Sequence, residues 1–201
     1  MFALVESGSI TSYLNGNRGI TIGDNQYPAA IFTVWTESER NAIGIYTIEI
    51  DNTNKKNEEW YINTDISYAY DASSNKVKGT YGTATAKPHA DTLYTQAEED
   101  AGLGTKDDVK TEGLKTKLIR AVKVDAEAEL NKTDWYITRK AEKSTAIPSS
   151  ITTHRDAVRT KQAAMETAIT NASDTAALET LYTYTTTDGV TSRPLGELPK
   201  L

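Results

Sequence analysis

The spacing of apolar residues changes once along this chain. Before residue 85 they alternate with polar ones, as in Tyr46-Thr-Ile-Glu-Ile50 and Ile66-Ser-Tyr-Ala-Tyr70. After residue 113 they recur at threes and fours, as in Leu114, Leu118, Ala121, Val122 and Ala126. Period two belongs to half-buried strands and period 3.6 to amphipathic helices. A single switch predicts strands first and helices second. The expected class is α+β, an N-terminal β-rich module followed by a C-terminal helical module. The expected boundaries are a β-rich docking module over 1–85, a linker or strap over 86–112, a helical module over 113–183 and an extended arm over 184–201.

Within the first module, Ile20-Thr-Ile22 runs into the turn Gly23-Asp24-Asn25 and then into an apolar stretch, Ala30–Trp35, read as strand. Thr36 and Glu39 have capping-box spacing, and Gly44 is placed to end that short helix. Tyr46–Ile50 and Glu59–Asn63, joined by a polar turn, are expected to pair as a hairpin. Ile66, Tyr68 and Tyr70 share one strand face, and Val77–Tyr81 returns beside them. In the strap, only a short helix within Asp91–Ala101 is expected.

In the helical module, Thr133 or Asp134 is placed to cap a short helix carrying Trp135–Glu142. Pro148 breaks the chain before a longer helix over 151–171, with Ala157, Val158, Ala164, Met165, Ala168 and Ile169 expected inward. Asp174 is placed to cap a last short helix. Thr133, Asp134, Trp135 and Pro148 thus read as a structural αα-corner, with Trp135 buried on Ala157 and Val158. In the closing "RPLGELPKL", Leu195, Leu198 and Leu201 recur every third residue, as on one edge of a polyproline II strand that crosses to a neighbouring subunit.

Composition bears on partners. Leu, Ile, Val and Phe make up only 37 of 201 residues, whereas Thr alone supplies 30. So thin an aliphatic core implies burial completed against other subunits, including copies of the chain itself. Trp35, Trp60, Tyr68 and Tyr70 are the candidate protein-contact residues of the β module, and Leu195, Leu198 and Leu201 those of the arm. The net charge of −6 offers no broad basic face for nucleic acid or an anionic membrane. No apolar run reaches membrane-spanning length, and Met1–Glu6 lacks the basic start of a secretory leader. With no Cys, disulfides and thiolate metal sites are excluded.

No constellation assigns chemistry. His89 and His154 have no ligand-spaced partner and read as surface residues, so no metal site is expected. There is no glycine-rich phosphate loop, and no cofactor is expected. Asp134, Arg139, Glu142, His154 and Arg155 converge if the two helices pack as a hairpin. Each nonetheless has a local role: Asp134 at a helix start, and Arg139 with Glu142 as a surface pair. Lys115, Lys117, Arg120 and Lys123 form a short solvated helix face or meet an acidic partner. The chain is therefore read as non-enzymatic.

Two stretches carry a resemblance. Leu130, Thr133-Asp134-Trp135, Arg139, Glu142, Ile147-Pro148, Arg155 and Val158-Arg159 resemble a segment of bacteriophage tail proteins. Ile20–Ile45, a Tyr-Pro stretch before an aliphatic run and an acidic helix, is similar to the opening of such proteins. Together they cover about a third of the chain. The resemblance implies a virion structural protein of the tail, made in the host cytoplasm, that joins baseplate or tail-fibre components. It implies no catalytic residues. A tail-fibre assembly chaperone absent from the finished particle and a glycan-cleaving tail enzyme are the alternatives.

Overall fold

Phe2-Ala-Leu-Val-Glu6 is almost unbroken in its apolar character, which suits a strand covered on both faces. The computed structural model describes residues 1–201 and divides them into two units, Met1–Thr85 and Ala86–Leu201. The class is α+β, with a curled sheet in the first unit and helices in the second.

The first unit contains, in order, β1 (Phe2–Glu6), β2 (Ser9–Leu14), β3 (Ile20–Ile22), β4 (Asn25–Tyr27), α1 (Ile31–Val34), α2 (Glu37–Ala42), β5 (Ile45–Asp51), β6 (Tyr61–Ile62), β7 (Ile66–Asp71) and β8 (Lys76–Tyr81). The two-residue β9 (Thr85–Ala86) marks its end. The main sheet has the order β2-β1-β5-β8-β7; β5 and β8 run parallel and the other neighbours antiparallel. On one face Leu4 and Ile45 pack with Ile31 and Phe32 of α1. On the other, Ala3, Val5 and Val77 are buried, with Tyr46, Tyr68 and Tyr70 packed against them. The sheet curls until its edge strands meet, where the rings of Tyr13 on β2 and Tyr68 on β7 lie 5.3 Å apart. The Thr36–Glu39 capping box forms, and β7 and β8 pair as expected.

Two expectations for this unit fail. Ala30–Trp35 is not a strand, because Pro28, Ala29 and Ala30 offer their carbonyls to Ile31, Phe32 and Thr33 and start a helical turn. A short apolar run has no period that separates a strand from a buried helix. Nor do Tyr46–Ile50 and Glu59–Asn63 form a hairpin, since β5 lies between β1 and β8. The polar turn closes on itself instead. Asp51 Oδ1 accepts from Thr53 N at 2.8 Å, and the Asn63 amide both accepts from and donates to the Lys56 backbone at 2.9 Å. Such side-chain bonds compete with a ladder and turn the chain away from β5.

The second unit comprises β10 (Thr92–Leu93), α3 (Gln96–Asp100), β11 (Val109–Thr111), α4 (Leu114–Asn131), α5 (Asp134–Lys143), α6 (Ser149–Asn171), α7 (Thr175–Tyr182), β12 (Thr185–Thr187) and β13 (Val190–Ser192). Bonds near both ends fix α4 antiparallel to α6: Lys115 Nζ donates to Thr170 O at 2.8 Å, and Arg155 Nη1 to Leu130 O at 2.8 Å. Val122 and Ala126 on α4, and Ile151, Val158, Met165 and Ile169 on α6, are buried. Ala121, Ala157 and Ala164 are exposed, contrary to expectation, because they fall off these i, i+4, i+7 lines.

The stretch before α4 is not a plain linker. It holds the β10–β11 hairpin and α3, and it caps α4. Pro88 O and His89 O accept from Leu114 N and Lys115 N at 3.0 Å. The Asp91 carboxylate accepts from Gly113 N at 2.7 Å and from the Thr116 hydroxyl, and these bonds hold it below the usual carboxylate range. The approach is so close that a Cβ on Gly113 would lie 2.4 Å from the Ala90 carbonyl, so only glycine fits.

The arm is not extended either. Residues 185–192 form the β12–β13 hairpin around Asp188-Gly189, a two-residue turn with both φ angles positive. Leu195 and Leu198, expected on a neighbour, are 2% and 7% exposed within their own chain. Leu195 N donates to Leu181 O at 3.0 Å, and Lys161 Nζ donates to Leu195 O at 2.7 Å. Leu201 alone of the three remains exposed.

Candidate functional site

The apolar stripes of α4 and α6 each carry one charged residue in register. On α4 the line Val122, Ala126 continues to Glu129, and on α6 the line Ile151, Val158 encloses Arg155. Glu129 is 2% exposed and Arg155 8%. A buried charge needs partners, and both have them.

Arg155 Nη1 donates to Leu130 O at 2.8 Å, Thr133 Oγ1 at 2.7 Å and Asp134 Oδ1 at 2.7 Å. One nitrogen thus ties the start of α6 to the end of α4 and the start of α5. Thr133 occupies the N-cap position of α5 but makes no side-chain cap bond. Its hydroxyl is fully engaged, donating to Leu130 O at 2.9 Å and accepting from Arg155. Pro148 sits at the N-cap of α6, and its carbonyl accepts from Ile151 N at 3.0 Å. Thr133 and Asp134 are thus held to Arg155 by hydroxyl and ionic bonds, while Pro148 stands apart at the start of α6.

Glu129 is the second centre. Its Oε2 accepts from Lys132 Nζ at 2.5 Å and lies 3.8 Å from Lys200 Nζ. Its Oε1 accepts from Leu201 N at 2.8 Å and lies 3.4 Å from His154 Nε2. The Lys132 bond, helped by the Leu201 N–H, holds this carboxyl below the usual range against the opposing effect of burial. His154 is not the surface residue expected, for its side chain is only 10% exposed. Sequence reasoning passed over Glu129; its signal was an acid in line with an apolar stripe.

Trp135 is the main correction. It is 51% exposed, not buried on Ala157 and Val158, and α5 buries no residue. Its ring lies 3.8 Å from that of Tyr136, and the Arg139 guanidinium stands 4.6 Å from the Trp135 ring and 5.2 Å from the Tyr136 ring. The corner is pinned through Asp134, so the indole is free to lie outside. Arg139 and Glu142 do not join Asp134 and Arg155 in one polar centre.

The other predicted contact residues are mostly engaged within the chain. Trp60 is 2% exposed, which removes it as a contact surface. Trp35 packs on the first core with its ring edge-on to Tyr27 at 5.8 Å. Tyr70 donates its one hydroxyl hydrogen to Asn75 Oδ1 at 2.8 Å, and the Tyr46 hydroxyl, 3.3 Å away, donates to the Tyr70 oxygen; that bond, with burial, pushes the Tyr46 phenol up to about 12. The Tyr68 ring meets that of Tyr13 at a tilt. What remains open is α5, with an aromatic and cationic stack on a pinned helix. Comparison with protein-family models, curated proteins and solved structures finds no match for this chain.

Proposed function

We propose that this chain is a non-enzymatic structural protein of a bacteriophage tail, joining baseplate or tail-fibre components within the virion by protein–protein contact. One observation carries the docking role: α5 buries none of its residues and exposes Trp135 beside Arg139. Trp, Tyr and Arg are the residue types that dominate binding energy at protein interfaces. The polar centre behind α5 serves this role, because Arg155 and Asp134 fix the helix and spare the partner the cost of ordering it. The assignment to a tail rests on the resemblance of Leu130–Arg159 and Ile20–Ile45 to tail-protein segments.

The test is mass spectrometry of purified particles from a phage carrying the wild-type chain or Trp135→Ala/Arg139→Ala. Wild type is expected in the particle and the variant depleted from it, although the isolated variant should remain folded with a melting temperature only a few degrees lower. Absence of the wild-type chain from finished particles would leave the assembly-chaperone alternative. Hydrolysis of host envelope glycan, lost in Asp134→Asn or Glu142→Gln, would replace both readings with the enzymatic one.

A further inference from the structure

We propose that the α5 face docks onto the acidic loop over residues 93–109 of a second copy of this chain. The inference rests on the docking role above and names its occupant.

Trp135, Arg139 and Lys143 follow at i, i+4 and i+8, with Tyr136 and Lys140 one position on, so all five lie on one side of α5. Asp134 is committed to Arg155, which leaves Arg139, Lys140 and Lys143 against Glu142 alone. The face is apolar with a basic surplus. The other basic group of the unit is largely spent: Lys115 holds Thr170 O, Arg120 pairs with Glu112, and Lys123 lies 3.5 Å from Glu166.

The loop over 93–109 has the opposite character. Leu93 and Val109 are cross-strand partners, 43% and 49% exposed, and Leu103 is 64% exposed. Around them Glu99, Asp100, Asp107 and Asp108 are exposed, against one cation, Lys106. Glu98 is internally committed, to Lys110 and to the capping box with Thr95.

The loop is also firmly built. Gly102 N and Leu103 N close the end of α3 on Glu99 O and Glu98 O at 2.8 and 2.9 Å, with Gly102 at positive φ. Tyr94 N donates to Asp108 O, and Asp107 N to Tyr94 O, both at 3.0 Å. Two ordered patches of opposite charge, each with an apolar centre, thus stand exposed on one chain whose net charge is −6. Each is the electrostatic complement of the other. Contact between unlike patches is head-to-tail, so it propagates into a ring or a filament.

Sedimentation velocity on the full chain tests this at high micromolar concentration and two salt levels. Wild type is expected to associate, less so at high salt. Lys140→Glu/Lys143→Glu and Asp100→Lys/Asp108→Lys are each expected to weaken association about tenfold or more. These side chains are exposed, so the melts should shift by no more than a few degrees, Lys140 and Lys143 giving up only their favourable place in the last turn of α5. Mixing the two variants lets intact meet intact and reversed meet reversed patches, so the mixture should associate where neither variant does alone. Carrying both reversals in one chain should restore association. A wild type that stays monomeric, association indifferent to the reversals, or a mixture that stays monomeric would each overturn self-docking. If the wild type is monomeric while Trp135→Ala/Arg139→Ala is lost from particles, α5 docks to an unlike protein: the tail role stands and this inference falls.

Discussion

The backbone N–H of Leu201 donates to Glu129 Oε1 at 2.8 Å, joining residues 72 apart in sequence. With Leu195 and Leu198 buried nearby in the chain, this makes the C-terminal segment part of the helical unit's own structure. Deleting residues 193–201 should therefore destabilise that unit by about 3 kcal/mol or more, since two buried leucines are lost. Urea denaturation followed by helix signal measures it. A truncated chain as stable as the full one would return the segment to the role of a free arm.

Glu129 gives stability a pH dependence of known sign. Its folded value lies below the ordinary 4.5, so it binds protons less readily folded than unfolded. Its contribution is present above about 4.5 and is lost as pH falls through the folded value. Asp91 acts in the same direction. Wild type should thus lose stability on acidification below that range, and Glu129→Gln should lose less over the same interval while starting lower at neutral pH. Equal slopes for the two proteins would remove Glu129 from this account.

Trp135 and Ile169 should differ in how much they lower the thermal melt. Ile169 is fully buried, so Ile169→Ala should cost about 2–5 kcal/mol. Trp135→Ala gives up only an exposed stack with Arg139, worth about 0.5–1 kcal/mol. A larger loss at Trp135 than at Ile169 would mean that the indole is inside.

Gly113→Ala should detach the capping segment from α4. The new methyl would meet the Ala90 carbonyl at 2.4 Å, and backbone cannot yield as a flexible side chain does. The expected cost is about 1–3 kcal/mol, with faster amide exchange at Leu114 and Lys115. Unchanged exchange at those two amides would show that the capping bonds are not what hold the helix start.

The parts legible in the sequence were those with a local cause. The Thr36–Glu39 box and the Tyr68/Tyr70 strand face each follow from neighbours within a few residues. The change of apolar period located the class of both units. The failures were non-local. Nothing near Gly113 shows that Asp91 will cap it, and nothing near Glu129 shows that Leu201 N will reach it. Trp135 misled because size was read as burial, whereas the corner is closed by Arg155 on Leu130, Thr133 and Asp134. The Asp188-Gly189 turn was legible and was passed over for the threefold leucine spacing beyond it.

The meeting of Tyr13 and Tyr68 governs how the first unit can aggregate. Edge strands offer unpaired backbone as a template for added strands, and proteins guard them. Here the two edges face each other across two rings in tilted contact, so an incoming strand must first part them. The guard costs no charge and no proline, only curvature. A Tyr68→Ala chain would gape at this seam, and fibril formation on storage, rather than loss of fold, is the defect to look for.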